Sequence, residues 1–215
     1  MVEPVIPSSG RWRRRKEARP GEIVEAALEV FTAKGFAATR LDDVAARAGV
    51  SKGTLYLYFS SKEELFKAVV RQTVLPNLGS LEALVASYQG TTADLFRDLL
   101  IRATEEISAT KVGLLPKLII AEAGAFPDVA RFWVTEVVER GQGLLRRVVA
   151  RGVASGEFTP VQSDAMIVLF APVVLLTLWN AAIGPAVGRM LDPAIIASEA
   201  ARILLDGLNV RKEAS

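Results

Sequence analysis

Residues 48–66, AGVSKGTLYLYFSSKEELF, hold the side chains best suited to chemistry in this sequence. Lys52, Thr54 and Tyr56 offer hydrogen-bond donors on one short predicted helix, and Gly53 leaves the backbone bare between them. Lysine, threonine and tyrosine donors bind the phosphates and base edges of DNA. An ordinary helical hairpin has no need of these donors on an outward face, so the stretch indicates DNA recognition.

A helix-turn-helix is the arrangement that would position these donors. Gly49 can take the positive φ that a tight turn between helices requires, and Ser51 is placed to cap the second helix. The preceding segment, TRLDDVAARAG, supplies the first helix, for which Thr39 and Asp42 form a predicted capping box. The residues expected to pack the second helix on the first are Val50, Leu55 and Tyr58.

Residues 20–70 resemble the N-terminal domain of the TetR family of bacterial transcriptional regulators. The resemblance runs through PGEIVEAALEVFTAKGFAATRLDDVAARAGVSKGTLYLYFSSKEELF and is closest in AGVSKGTLYLYF and SKEELF. A motif of this length is highly specific. The remaining two thirds of the chain is similar to the family only in size and helical character, although LIIAEAGAFPDVARFW resembles one subgroup of its effector domains.

The resemblance implies a homodimer that binds a double-stranded DNA operator, with the two reading helices in successive major grooves. One short helix contacts too few bases for useful specificity. Two such helices, about 34 Å apart on a pseudo-palindromic site, together contact enough bases. Lys52, Gly53 and Thr54 are predicted to face the base edges. Gly53 belongs to this group because its missing side chain lets the backbone approach closely.

Phosphate contacts are predicted around the base contacts. Tyr56 and Tyr58 would donate from their hydroxyls, and Lys62 would hold a phosphate together with free amides at the start of the next helix. Thr39 and Arg40 are expected to act likewise one helix earlier. Core packing is the alternative for Tyr58, and a solvated charge for Arg40. The full predicted DNA-binding set is Thr39, Arg40, Ser51, Lys52, Gly53, Thr54, Tyr56, Tyr58 and Lys62.

Charge is unevenly distributed along the chain. Residues 1–20 contain six basic and two acidic side chains, a net charge of +4, so the rest of the chain sums to −2 within a total of +2. An arm that reads RWRRRKEAR can lie along phosphates or enter the minor groove. A tail with little role is the alternative.

The remaining pattern predicts an all-α fold, because apolar residues recur at helical spacing and no segment alternates long enough for a strand. We expect a basic flexible arm at 1–19, a helix-turn-helix DNA-binding domain at 20–66 and a larger helical effector-binding and dimerisation domain at 67–215. The predicted helices are 21–34, 41–48, 52–58, one that starts near 62 and is interrupted at Pro76, 92–109, 112–123, 127–154, 164–183 before a break at Gly184-Pro185, and 193–208.

Composition excludes several classes of function. The sequence contains no Cys and no His, which removes disulfides, thiolate chemistry, zinc sites built on those ligands and His-based acid–base catalysis. A carboxylate-based or lysine-based enzyme has no motif behind it, so we expect no enzyme activity, cofactor or metal. The basic start is not followed by an apolar segment, which favours a cytoplasmic protein without a signal peptide.

Residues 165–188 carry no charge and are long enough to span a bilayer. Pro172, Thr177, Asn180 and Gly184-Pro185 interrupt the run, so a buried bundle helix is favoured and no membrane partner is expected. The apolar surplus of the last two helices exceeds what one neighbour can cover, which predicts the dimer interface there. The residues concerned are Ile167, Phe170, Val174, Leu178, Ile196, Ala200, Ile203 and Leu204.

The larger domain is rich in aromatic and aliphatic side chains and poor in polar ones, which predicts a small, mainly apolar effector. Core packing is the alternative for each of these side chains. The predicted effector-binding residues are Glu122, Phe126, Phe132, Trp133, Met166, Phe170, Thr177 and Trp179.

A repressor released from its operator by the effector is the leading functional hypothesis. A regulator or activator that needs its ligand to bind DNA is an alternative, because the sequence does not fix the sign of the response. A small-molecule binding protein with a vestigial helix-turn-helix is the alternative from another class. The polar outward face and the basic arm argue against it.

Overall fold

The chain folds into helices joined by short turns, in two compact units that divide after Val69. The computed structural model describes the backbone of residues 10–209 and the side chains of residues 20–209. Between residues 10 and 209 there is no strand, and one isolated antiparallel bridge joins Phe158 to Asn209. The predicted all-α fold is confirmed.

The first unit contains the predicted helix-turn-helix, whose bounds agree closely with those read from the sequence. Its helices are α1 (Gly10–Lys34), α2 (Leu41–Arg47), α3 (Lys52–Tyr58) and the greater part of α4 (Lys62–Thr73).

α1 begins at Gly10, well before the predicted start at Gly21. Most residues of the run RWRRRKEAR are good helix formers, which explains why the helix extends in this direction. Pro20 lies inside the helix. The predicted arm at 1–19 falls partly on residues 1–9, which lie outside the described residues, and partly on the first turns of α1, whose side chains also lie outside them.

Three phenylalanines form the centre of the first unit. Phe31 stacks on Phe36 with 5.4 Å between ring centroids, and Phe66 meets these rings edge-on at 5.8 and 5.7 Å. All three side chains are fully buried. Because Phe31 lies on α1 and Phe66 on α4, the cluster holds together the two helices that flank the helix-turn-helix in sequence.

The second unit is helical throughout its described length, which ends at residue 209. The interruption predicted at Pro76 is confirmed, since that residue lies in the first turn of a new helix. The helices are α5 (Leu75–Ser87), α6 (Thr92–Ser108), α7 (Leu115–Glu122), α8 (Pro127–Trp133), α9 (Glu139–Ala154), α10 (Met166–Leu178), α11 (Gly184–Val187) and α12 (Pro193–Leu208), with 3-10 turns at Lys111–Leu114 and Ser163–Ala165.

α6 is the central helix of this unit and packs against α5, α9, α10 and α12. Glu157 anchors its first turn. The Glu157 carboxylate accepts hydrogen bonds from the backbone N–H groups of Thr92 and Ala93 at 2.9 and 3.3 Å, and from the Thr92 hydroxyl at 2.8 Å. A carboxylate at a helix N-terminus satisfies amides that have no partner within the helix.

The break predicted at Gly184-Pro185 is wrong. Helical structure continues from α10 through a π-helical segment, Trp179–Ile183, into α11 and ends at Gly188, where φ is +66°. Pro185 has no N–H to offer to a preceding carbonyl. The Lys117 ammonium instead donates to the carbonyl of Ala181, four residues before Pro185, at 3.2 Å.

α10 presents one apolar face to the core and another to solvent. Met166, Leu169 and Val173 are buried, whereas Ile167 is 56% exposed and Leu175 is 64% exposed. The stretch Ser163–Val187 is long and apolar enough to cross a membrane by composition, a criterion that core helices of soluble proteins also pass. Only 28% of its most apolar window is buried within the single chain, less than the sequence-based prediction of a buried bundle helix requires.

Candidate nucleic-acid interface

The turn between α2 and α3 has the geometry predicted for a helix-turn-helix. Gly49 has a φ of +65°, and the backbone N–H of Val50 donates to the carbonyl of Ala45 at 3.0 Å. Ser51 is the N-cap of α3, and its hydroxyl accepts a hydrogen bond from the N–H of Thr54 at 3.1 Å. The predicted turn and cap are confirmed.

α3 packs inward through Leu55, which is buried, as is Phe59 immediately after the helix. Tyr58, expected to pack on the first motif helix, is instead 36% exposed, and Tyr56 is 47% exposed. Residues four apart lie on the same helix face, so Phe59 takes the inner position that follows Leu55. The two tyrosine rings therefore flank this inner face and are partly open to solvent.

Gly53 lies on the exposed side of α3, where the protein itself leaves space for a side chain. A Cβ atom built there would meet only the Ser51 hydroxyl oxygen, at an ordinary contact distance of 3.9 Å. The residue has no positive φ that would require glycine, and glycine inside a helix costs about 1 kcal/mol relative to alanine. The fold therefore gives no reason for a glycine at this position.

The Lys52 ammonium lies next to Gly53 on the exposed side and is paired within the protein. It is 2.9 and 3.0 Å from the two carboxylate oxygens of Asp42 on α2. The hydrogen bond to Asp42, together with the charge of that carboxylate, raises the pKa of Lys52. Both side chains are more than half exposed, so the ion pair is open to solvent.

Thr39 does not cap α2, as the sequence predicted that it would. It is buried, and its hydroxyl donates to the carbonyl of Gly35 at 2.6 Å. The N-cap of α2 is the next residue, Arg40, whose backbone N–H donates to the Asp43 carboxylate at 3.3 Å. The predicted capping box of Thr39 with Asp42 is therefore wrong by one residue, because the threonine hydroxyl bonds the end of α1 instead. Arg40 is exposed at the same helix start.

Lys62 lies at the start of α4, as predicted, but its ammonium is used within the first unit. It donates to the backbone carbonyls of Phe36 and Ala37 at 2.7 and 3.1 Å, and lies 4.6 Å from the centroid of the Phe36 ring. The Ser61 hydroxyl accepts from the N–H of Glu64 at 3.2 Å, which confirms the predicted helix start. Lys62 thus joins α4 to the loop that follows α1.

Comparison with known sequences assigns the fold to a family. The family described as "Bacterial regulatory proteins, tetR family" matches residues 23–69, the range that contains this helix-turn-helix. Over a longer stretch, the chain is 32% identical to the uncharacterized HTH-type transcriptional regulator YfiR of Bacillus subtilis across 170 residues, 74% of this chain and 77% of that protein. The chain belongs to the TetR family. It is therefore a DNA-binding transcriptional regulator.

Solved structures have the same fold as this TetR-family chain. The regulator FadR from Bacillus subtilis, in complex with stearoyl-CoA, has a TM-score of 0.74 at 17% identity, with 87% of this chain and 98% of that one covered. The ketosteroid transcriptional regulator KstR2 of Mycobacterium tuberculosis has a TM-score of 0.69 at 22% identity, with 90% and 98% covered.

The second unit of this TetR-family chain holds the predicted effector residues, in different surroundings. Met166 belongs to the hydrophobic core and Phe170 packs against it. Trp133 is also buried. The indole N–H of Trp179 donates to the carbonyl of Arg189 at 2.8 Å. These four side chains already have packing or bonding partners within the unit.

The other predicted effector residues lie nearer the surface of the unit. Glu122 ends α7 and Phe126 is the N-cap of α8, and both are half-buried. Phe132 lies with its ring centroid 5.3 Å from the guanidinium carbon of Arg71. This last contact stacks a cation on an aromatic ring.

A cleft of about 210 Å³ lies beside the C-terminal ends of α6 and α10. Thr177 is the one predicted effector residue on its wall, and its hydroxyl donates to the carbonyl of Val173 at 2.7 Å. Asn180 also lines the cleft and bonds both the N–H and the carbonyl of Leu191 at 2.9 Å. The rest of the wall is Ile107, Ser108, Thr110, Gly113, Leu114, Ala181, Met190 and Pro193.

The sequence did not indicate one buried polar group of the second unit, the carboxylate of Glu106. The Oε1 atom of Glu106 on α6 accepts a hydrogen bond from the Ser80 hydroxyl at 2.7 Å. Its Oε2 atom is buried, and no described residue donates to it. Buried carboxylate oxygens normally have partners. The sequence offered no signal for this residue, because a glutamate at helical spacing is usually a solvated one.

Proposed function

We propose that the chain is a repressor that binds a pseudo-palindromic operator as a homodimer and leaves it when a mainly apolar small molecule binds the second unit. The observation that carries the DNA-binding part is Gly53, whose missing side chain serves nothing inside the protein. A bare helix backbone allows close approach to base edges in the major groove.

Base contacts fall to the exposed residues around Gly53. The Lys52 ammonium would exchange Asp42 for a guanine or a phosphate, a substitution favoured by the exposure of the ion pair. Thr54 would present its hydroxyl from a fixed position, because that oxygen lies 2.8 Å from the hydroxyl oxygen of Ser51. Ser51 therefore contributes by orienting Thr54 as well as by capping the helix.

Phosphate contacts would surround this reading face. The Tyr56 and Tyr58 hydroxyls can donate from the flanks of α3, and Arg40 can donate from the start of α2. The N-terminus of α4 with Lys62 remains a candidate phosphate site, although the Lys62 ammonium also bonds two carbonyls. We leave Thr39 out of the proposed contacts, since its hydroxyl is buried and bonded to Gly35.

The proposed dimer forms through α10 and α12. Ile167, Val168 and Leu175 expose more than half of their surface on α10, and Ile195 and Ile203 do so on α12. A second copy that brings the same two helices would cover these side chains in a four-helix arrangement. The dimer would also supply the second reading helix that specificity requires.

The proposed effector is mainly apolar and binds in the second unit, among the predicted residues Glu122, Phe126, Phe132 and Trp133 or in the cleft beside Thr177. The complex of FadR with stearoyl-CoA supports an acyl thioester as the first compound to test, because FadR has the same fold.

Glycine 53 provides the test of the DNA-binding part. Gly53→Ala is expected to stabilise the free protein by up to about 1 kcal/mol and to weaken binding to a selected operator. Gly79→Ala is the matched control, since Gly79 also lies in a helix with space for a Cβ atom. Equal operator affinities of the two variants would refute the close approach of α3 to DNA.

A gel shift on DNA upstream of the chain's own reading frame, with and without stearoyl-CoA, tests the response to ligand. Loss of the shift on addition of ligand is the result expected for a released repressor. A stronger shift would favour the corepressor-dependent regulator or activator. Ligand binding by a protein that never shifts DNA would favour a binding protein with a vestigial helix-turn-helix.

A further inference from the structure

Leu57 is the most exposed of the large apolar side chains on α3. It is 83% exposed, whereas Leu55 on the same helix and Phe59 immediately after it are buried. Helical spacing places Leu57 one turn after Gly53, on the side opposite these buried residues. The most exposed face of α3 therefore presents Gly53, which has no side chain, followed one turn later by the branched aliphatic side chain of Leu57.

An exposed leucine has no significance by itself, because single apolar side chains are common on protein surfaces. The position of Leu57 on α3 makes this leucine significant. α3 contains no acidic residue, and Leu57 has Tyr56 and Tyr58 as its neighbours in sequence. Seven residues of helix are about 10 Å long, so the whole outward face of α3 fits in a major groove about 12 Å wide. A side chain on that face meets base edges.

The major groove presents one apolar group, the C5 methyl of thymine. We propose that Leu57 reads thymine by packing on this methyl, as a specificity determinant in addition to the polar donors of α3. This inference rests on the proposed role of α3 as the reading helix. It places a dry apolar contact one helical turn from the close approach at Gly53.

Removal of one methyl from DNA tests the contact directly. The probe is the operator selected by the wild-type protein, with each thymine replaced in turn by uracil, which lacks only the C5 methyl. The wild-type protein should bind about fourfold more weakly at one thymine of each half-site, the factor expected for a buried methyl group. Leu57→Ala should bind the unmodified operator more weakly and show no further loss at that thymine.

Two controls keep the outcome specific. Ile120→Ala removes an equally large side chain that is 61% exposed in the second unit, and it should respond to uracil as the wild type does. Thermal melts should show that Leu57→Ala stays folded, since little of its surface is buried. An equal uracil penalty in wild type and Leu57→Ala would overturn the proposal, as would a wild-type protein insensitive to uracil at every position.

A third set of variants separates this inference from the proposed function. Binding-site selection with Lys52→Ala and Thr54→Ala should change base preference at particular positions if α3 reads DNA. If these two variants changed base preference but Leu57→Ala kept the uracil penalty of the wild type, only the thymine contact would be refuted. Unchanged preference in all three variants would refute α3 as the reading helix.

Discussion

Lys52 and Asp42 form an ion pair that joins the two helices of the helix-turn-helix across their exposed side. The ammonium of Lys52 lies 2.9 Å from one carboxylate oxygen of Asp42, and the pair spans the turn at Gly49. The free protein therefore holds one of its candidate DNA-contacting cations next to an anion. In the proposed complex, an operator would compete with that anion for the charge of Lys52.

We expect Asp42→Asn to strengthen operator binding at low salt by up to about fivefold. The change releases Lys52 from an exposed ion pair, which is weak in water, and it removes a negative charge from the exposed side of the helix-turn-helix. Fluorescence anisotropy with a labelled operator measures the gain, which should shrink as salt rises. In a Lys52→Ala background the gain should be smaller. Weaker binding by Asp42→Asn would show that the carboxylate orients Lys52 instead of competing with DNA.

Lys62→Ala should lower the free energy of unfolding by about 1.5–3 kcal/mol, the range for hydrogen bonds to charged groups. The reason is that the Phe36 and Ala37 carbonyls lose their donor. Urea denaturation of the full chain, followed by circular dichroism, measures the loss. Lys67→Ala on the same helix is the control, since its ammonium pairs with an exposed Glu64. Equal stabilities of the two variants would contradict a structural role for Lys62.

If Lys62 also contacts a phosphate, the salt dependence of DNA binding by Lys62→Ala should be weaker than that of the wild type, by about one unit of slope per monomer.

Ile203→Glu should give a folded monomer that binds its operator poorly. Ile203 is 59% exposed in the single chain, so a charge there is tolerated until a partner covers it, when an unpaired buried charge costs several kcal/mol. Leu204→Glu should instead destabilise the protomer itself, because Leu204 packs against its own core. Light scattering measures the mass of each variant, and a thermal melt measures its stability. Ile120→Glu, at an exposed position on α7, serves as the control, and a dimeric Ile203→Glu would place the interface elsewhere.

Glu157 should make the second unit sensitive to acid. Burial raises the pKa of this carboxyl, but hydrogen bonds from Thr92, Ser155 and the N–H of Ala93 outweigh it and hold the pKa below its ordinary value of 4.5. A lowered pKa in the folded state gives stability that is present above pH 4.5 and is lost as the pH falls further. Glu157→Gln should therefore be less stable at pH 7, with a difference that narrows in acid. Chemical denaturation at pH 7, 5 and 4 tests this, and a constant difference would contradict it.

The helix-turn-helix could be predicted from sequence because its signals are local. Gly49 must supply a positive φ, Ser51 caps the helix that follows it, and both constraints act within a few residues. Thr39 shows the limit of this reasoning. Its hydroxyl can cap the next helix or bond a carbonyl four residues back, and the choice is made by its burial against the end of α1. The pairing of Lys52 with Asp42 likewise depends on how two helices cross.

The effector site could not be predicted in the same way. Helical spacing identifies which side chains face inward, but it does not distinguish a packed core from a cavity wall. Met166 and Phe170 fit the pattern and belong to the core or pack on it, while the cleft beside Thr177 depends on the π-helical segment at Trp179–Ile183. Lys117 donates to the Ala181 carbonyl within that segment, a contact between residues far apart in sequence.

In the proposed dimer, the exposed face of α10 would tie the stability of the protein to its concentration. Whatever buries Ile167 and Leu175 binds the folded chain and not the unfolded one, so by mass action it stabilises the fold more as its concentration rises. With a second copy as the partner, the apparent melting temperature climbs with protein concentration, and dilute chains unfold and are degraded first. At low rates of synthesis, a larger fraction of the chains would then be lost, so the amount of working regulator would change more steeply than its rate of synthesis.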